Sequence, residues 1–186
     1  MRTEVKNKTI TILGAARSGI AAAKLLHKKG ARVYVSDAAP ADKKVTEAAE
    51  LDRAGIPYEF GMHSEQAFQT ELVVLSPGIP VRSQIVQSFV DRKIPVLSEI
   101  EVAWWFCESP VIAVTGSNGK TTTTTLIGQM LKKKYPQAIV AGNIGTAFSE
   151  YVETSGPDNW AVVEISSFQL ETIDAFHPKQ AGVLNF

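Results

Sequence analysis

The sequence predicts an α/β protein: a Rossmann-like doubly wound parallel sheet, followed by the first part of a phosphate-loop α/β ATPase unit. Three observations carry that expectation. Short β-branched runs alternate with helical patterns along the whole chain. Two of those runs break into glycine-containing turns, GAARSG at 14–19 and TGSNGKT at 115–121, just before a helix begins. Between them Glu108, Ser109 and Pro110 lead into a new buried strand, a natural hinge between residues 1–108 and 109–186.

In the first half, residues 9–13 read as a strand ending at Gly14, and Ser18 opens a helix carrying Ile20, Ala23, Leu25 and Leu26 that Gly30 stops. Residues 32–36 complete a βαβ unit. Gly14 and Gly19 hold the outer positions of the dinucleotide fingerprint, while Ala16 stands where its middle glycine belongs. Asp37, 23 residues after Gly14, sits where a ribose-binding acid would be. The turn can hold a phosphorylated ligand on the helix N-terminus at Ser18, or it can be a plain α/β turn with Ser18 as the cap. A nicotinamide-dependent oxidoreductase is a further reading, but it leaves the second loop unexplained. A charged helix over 42–54, strands at 58–60 and 72–75, a helix over 83–91 and a strand at 95–97 fill out five strands. The turn SPGIP at 76–80 follows a strand, so Gly78 is a close-approach position for a ligand or only a turn glycine. Residues 99–106 continue as a helix whose Trp104, Trp105 and Phe106 pack toward the second half.

The second half opens on VIAVTGSNGKTTTTT at 111–125, an apolar strand that breaks at Gly116 and resumes as a helix marked by Leu126, Ile127, Met130 and Leu131. Gly116 and Gly119 allow a tight turn in which amide N–H groups at the helix start can converge on an anion. Lys120 adds positive charge, and the Thr121 hydroxyl is placed for a metal ion carried by the phosphates. Val114 stands where the literal nucleotide-loop pattern wants its first glycine, so a tight turn with a surface lysine remains the alternative. A strand at 138–141 ends in GNIG with Asn143, and one at 160–165 brings Glu164 to its tip, followed by SSFQLE. Glu164 reads as a ligand for magnesium, or as an N-cap acid for the turn at Ser166 and Ser167. A strand begins at 181 and the chain ends at Phe186, inside a domain and leaving an unpaired edge.

Composition excludes several classes. Nineteen acids balance nineteen bases, so no polyanion such as nucleic acid is indicated as a partner. The run at 132–134 is three lysines at a helix C-terminus, where they complement the dipole. A single cysteine, Cys107, excludes an internal disulfide and fits a reducing cytoplasm. No apolar run is long enough to span a membrane, and no signal peptide is visible. A soluble monomer is the expectation.

GAARSG, SPGIP, TGSNGKTT, AGNIG and EISSFQLE, in that order, resemble the Mur ligases of peptidoglycan synthesis, and within them the D-glutamate-adding members. Folylpolyglutamate synthases share the loop but not the first half. The resemblance implies an ATP- and magnesium-dependent amide ligase that activates the carboxylate of UDP-MurNAc-L-alanine as an acyl phosphate, which the amine of D-glutamate attacks. It implies that Gly14, Arg17, Ser18, Gly19, Asp37 and Gly78 surround the UDP substrate. Gly116, Ser117, Asn118, Gly119, Lys120, Thr121 and Thr122 would hold ATP, with Thr121 and Glu164 on magnesium. Asn143 would lie between nucleotide and reacting carboxylate, with Ser166 nearby, and Lys120, Asn143 and Glu164 would form the catalytic set. One departure is visible: Ala38 and Ala39 follow Asp37 where such ligases often carry threonine and arginine. The family's substrate histidine, carbamylated lysine and third domain have no counterpart up to Phe186, so the resemblance implies that this chain alone does not ligate. A non-catalytic module binding UDP-sugar or ATP is the competing class, and binding of UDP-MurNAc-L-alanine, ATP or NADH separates the readings.

Overall fold

A computed structural model describes residues 4–185. Phe186 lies outside the described residues. The first sheet contains β1 (Thr9–Leu13), β2 (Arg32–Asp37), β3 (Tyr58–Phe60), β4 (Leu72–Leu75) and β5 (Val96–Ser98). They are parallel and ordered β3-β2-β1-β4-β5, the doubly wound arrangement expected. Strand order reverses at β1, so the carboxyl ends of β1 and β4 flank the crevice where such sheets hold ligands. Period-two alternation explains why this sheet is apolar on both faces. Ile10, Ile12 and Val74 join Ala22, Leu26 and Leu51 on one side, while Leu13, Val73 and Leu75 meet Val86 and Phe89 on the other.

Helix α1 (Arg17–Lys28) follows the first glycine turn. It starts with Ala16 as N-cap and no side-chain cap, so Ser18 does not open the helix; it lies buried in the first turn. Backbone contact dictates the glycines here. A Cβ on Gly19 would fall 1.9 Å from the Gly14 carbonyl oxygen, and Gly14 has φ +90° against Ser76. The charged helix expected over 42–54 is interrupted: a short 3₁₀ turn (Ala41–Lys43) precedes α2 (Val45–Ala54), because Lys44 between them turns inward toward Asp37. Helix α3 (Gln84–Asp91) is as expected within a residue, and α4 (Glu99–Trp104) stops two residues short of 106.

The second sheet contains β6 (Val111–Thr115), β7 (Ile139–Gly142), β8 (Ala161–Glu164) and β9 (Gln180–Val183), all parallel in the order β7-β8-β6-β9. Helix α5 (Lys120–Lys132) leaves the phosphate loop, and α6 (Phe148–Tyr151) and α7 (Ser167–Leu170) are single turns. The apolar spacing located α5 but misjudged its buried side. Thr124 and Gly128 bring the helix onto β7 and β8, leaving Leu126 and Met130 more than half exposed.

Two buried acids tie the sheets together. Glu101 on α4 accepts the Trp105 indole N–H at 2.8 Å with Oε1 and the backbone N–H groups of Asp174, Ala175 and Phe176 at 2.8–3.0 Å with Oε2. Glu99 accepts the Ser149 N–H at 2.7 Å, and burial pushes its carboxyl above the usual range. Around them Leu25, Ile100 and Ala103 enter the apolar core of the second sheet, and Trp104 meets Phe176 edge-on at 5.4 Å. The aromatic run therefore packs between the halves as its sequence suggested. Glu101→Ala would strand four donors at once, the Trp105 indole and the Phe176 N–H in buried surroundings, so it should lower unfolding free energy by about 3 kcal/mol in urea denaturation. A change below 1 kcal/mol would show that the acid does not join the halves.

Candidate active site

β6 buries Val111, Ala113 and Val114 and gives way at Gly116, whose φ of +138° turns the chain out of the sheet. Gly119 at φ +81° is the N-cap of α5, and the first i to i−4 bond runs from Thr123 N–H to the Gly119 carbonyl. The N–H groups of Lys120, Thr121 and Thr122 therefore precede that bond and face out of the helix start, with the positive end of its dipole. Lys120 curls over the loop and donates to the carbonyls of Gly116 at 2.7 Å and Ser117 at 3.2 Å. Its ammonium is thus held at the mouth where phosphate oxygens would arrive. Asn185 braces the loop from β9: its carbonyl and side-chain oxygens accept the N–H groups of Ser117 and Asn118.

Glu164 closes β8 beside that helix start. It is 1% exposed; Oε2 accepts the Thr121 hydroxyl at 2.9 Å and Oε1 accepts the Asn143 side-chain amide at 3.0 Å. Asn143 N–H also donates to the Glu164 carbonyl at 3.0 Å. The N-cap alternative for Glu164 fails, because Ser166 caps α7 in a full capping box with Gln169. Among the described residues no group of three or more His, Cys, Asp or Glu could hold a metal ion by itself. One carboxylate and one hydroxyl do suit magnesium that arrives on a nucleotide, since magnesium keeps waters and phosphate oxygens as its other ligands.

Across the crevice, a cleft of about 230 Å³ is lined by Ala16, Arg17, Ser18, Pro77, Gly78 and Asn143, with Ser76 at its floor. The α1 N-terminus, the SPGIP turn and the GNIG turn thus meet in one place. Gly78 carries no positive φ, and a Cβ there would touch nothing within 4 Å, so the fold itself does not demand glycine. Arg17 donates to the Asn143 carbonyl at 3.3 Å, bridging the two sheets at this edge. Asp37 lies behind the turn: its carboxylate accepts the N–H groups of Ala15 at 2.7 Å and Ala39 at 2.8 Å and pairs with Lys44 at 3.3 Å. Burial alone would raise its pKa, but those N–H groups and the Lys44 ammonium together hold it below the usual carboxylate range. Ser166 is occupied by its capping role and does not line this cleft. Burial pushes the Cys107 thiol up, consistent with an inert side chain.

Sequence reasoning missed Lys44, Asn185, Glu99 and Glu101. The one available signal for the two glutamates was an apolar run, EIEVAWWF, interrupted by acids two residues apart, which a helix carries to opposite sides and therefore cannot place on one solvent face. For Asn185 it was a strand end on the loop's own sheet edge.

Two all-parallel sheets, each carrying a glycine turn between its first strand and the helix that follows, define a two-unit α/β protein. Residues 8–98 match the family described as Mur ligase MurD-like, N-terminal domain, and residues 114–185 match the Mur ligase middle domain. The chain belongs to the Mur ligase family. It is 46% identical over 188 residues to the UDP-N-acetylmuramoylalanine–D-glutamate ligase of Salinibacter ruber, covering 98% of this chain and 40% of that protein. It is 44% identical to the ligase of the same name from Pelotomaculum thermopropionicum, covering 100% of this chain and 41% of that one. The chain thus spans about 40% of the length of the curated relatives it matches. Its fold resembles the UDP-N-acetylmuramate–alanine ligase of Thermotoga maritima, with TM-score 0.56 and 21% identity over 95% of this chain and 41% of that one. It also resembles the UDP-N-acetylmuramate:L-alanyl-γ-D-glutamyl-meso-diaminopimelate ligase from Neisseria, with TM-score 0.58 and 18% identity over 96% and 60%.

The Asp37 network makes a pH prediction. A carboxylate with a depressed folded pKa adds stability that is present above its unfolded pKa and is lost as pH falls through the folded value. Lys44→Met removes one of the groups that depress it. Carbon-detected NMR titration should therefore place the Asp37 midpoint higher in the variant, and its acid unfolding should begin at higher pH. An unchanged midpoint would mean that Lys44 does not act on Asp37.

Proposed function

We propose that this chain supplies the UDP-substrate site and the ATP site of a ligase that joins D-glutamate to UDP-MurNAc-L-alanine. Residues 1–108 take the UDP substrate and residues 109–186 take ATP. The observation that carries this reading is the cleft in which the α1 N-terminus, Gly78 and Asn143 converge, with Asn143 one hydrogen bond from Glu164 and two from Thr121. A ligase of this kind needs its acceptor carboxylate and its phosphoryl donor at one point, and the arrangement provides it.

In this reading the diphosphate of the substrate lies on the α1 N-terminus, where Ser18 and Arg17 add a hydroxyl and a guanidinium to the N–H groups behind Gly14 and Gly19. Asp37 holds the turn in shape from behind, and is near enough to serve the ribose. The Gly116–Thr122 loop receives the triphosphate: Ser117, Asn118 and Gly119 form its wall, and Lys120 moves from its carbonyl partners to phosphate oxygens. Magnesium on ATP, held by Thr121 and Glu164, would neutralise charge on the transferring phosphoryl group. Asn143 orients Glu164 with its side chain and lines the cleft, so it would position the alanyl carboxylate that attacks the γ-phosphorus, the bond to the β,γ-bridging oxygen breaking and ADP leaving. The resulting acyl phosphate is open to the amine of D-glutamate, with phosphate as leaving group. Among the described residues no helix is long and apolar enough to cross a membrane. We place the protein in the cytoplasm as a monomer, with small-molecule partners and no nucleic acid.

Gly78 gives a test that separates ligand contact from folding. Gly78→Ala should leave the thermal midpoint within about 2 °C, since the added methyl meets nothing in the protein. It should nevertheless weaken UDP-MurNAc-L-alanine about tenfold in calorimetric titration, roughly 1.4 kcal/mol, by intruding on the ligand. Equal affinity in the variant would remove this cleft from the substrate site.

A further inference from the structure

We propose that Arg17 is a positioning residue that makes occupancy of the cleft and occupancy of the phosphate loop mutually dependent; the inference rests on the functional reading above. The path is short and continuous. Arg17 Nη2 donates to the Asn143 carbonyl at 3.3 Å, the Asn143 side chain donates to Glu164 Oε1 at 3.0 Å, and the Thr121 hydroxyl donates to Glu164 Oε2 at 2.9 Å. Arg17 belongs to the first sheet's ligand turn, and the other three belong to the second sheet.

Two features make this path responsive. Arg17 is exposed and lines the cleft together with Asn143, so an anion lying there reaches the guanidinium directly. A guanidinium presents five N–H donors in a planar fork, enough to hold a carbonyl and an anionic oxygen together. The GNIG turn has little freedom to absorb a shift. A Cβ on Gly142 would fall 2.3 Å from the Glu164 carbonyl oxygen, and the Asn143 N–H is bonded to that same oxygen. Drawing Arg17 onto an anion therefore moves or fixes Asn143, and with it the carboxylate orientation that Thr121 and a nucleotide-borne cation meet. By linkage, the nucleotide acts back on the cleft by the same factor.

The fork also separates coupling from charge. Arg17→Lys keeps a cation for the cleft but presents one ammonium, which cannot span carbonyl and anion in the same plane. The experiment is calorimetric titration of MgAMP-PNP into the purified chain, with and without saturating UDP-MurNAc-L-alanine, for the native sequence, Arg17→Lys and Arg17→Met. The native protein should bind the nucleotide at least about fivefold more tightly with the cleft occupied. That factor should fall to about one in Arg17→Lys and in Arg17→Met, each measured at a UDP-ligand concentration that direct titration shows to saturate that variant. A factor that survives in Arg17→Lys, or native protein that binds both ligands with a factor of one, overturns the role of Arg17 and leaves the functional reading standing. Folded native protein that binds neither ligand overturns the reading itself and the coupling with it.

Discussion

The carboxylate of Glu101 is the joint on which the site depends. It is fully buried, and burying such a group is costly unless donors replace its water. Here one oxygen takes an indole N–H and the other takes three successive backbone N–H groups from a turn 73 to 75 residues along the chain. Because the donors come from α4 on one side and from the turn after α7 on the other, satisfying the acid fixes how the two sheets meet. Ser98 N–H bonding to the Thr172 carbonyl and Glu99 receiving Ser149 act in the same seam. Only with that seam set does Arg17 reach across to Asn143.

Parallel strands then do the rest. Within each sheet every strand points its carboxyl end to the same edge, so the turns after β1, β4, β6, β7 and β8 are all candidates for ligand contact. In the proposed reading the α1 N-terminus takes one anion, the α5 N-terminus with Lys120 takes a second, and the Glu164 carboxylate bonded to the Thr121 hydroxyl takes the cation. Charge is complementary at each point, since helix N-termini and Lys120 suit phosphate while the single acid suits the cation phosphate carries.

Much of the fold was legible in the sequence because a buried parallel strand is a short apolar run with a glycine or proline at its end. The nine strands among the described residues fall within one or two residues of the runs that marked them. The strand–glycine turn–helix at 111–132 was equally legible, with the helix starting at Lys120. Helix edges and faces were not. Ser18 has the residue type of a cap but sits inside the first turn, because the Gly14–Gly19 contact pulls the helix start back to Arg17. On α5 the larger apolar residues marked the helix, yet the small ones face the sheet. Glu99 and Glu101 drew no reading from the sequence; their partners are 50 and 73 to 75 residues away, a separation that no local pattern encodes. Asp37 was picked as a ligand residue and is first of all the acceptor that shapes the turn, with Lys44 unnoticed beside it.

The central claim is that one sheet edge holds a UDP substrate and a magnesium nucleotide on either side of Asn143. A crystal structure of the chain with UDP-MurNAc-L-alanine and MgAMP-PNP tests it directly. The account predicts the diphosphate between the Gly14–Gly19 turn and Gly78, the nucleotide phosphates within the Gly116–Thr122 loop, and a metal ion touching Thr121 and served by Glu164. A UDP ligand seated away from the cleft, or a nucleotide bound without contact to Lys120 and Thr121, would contradict it.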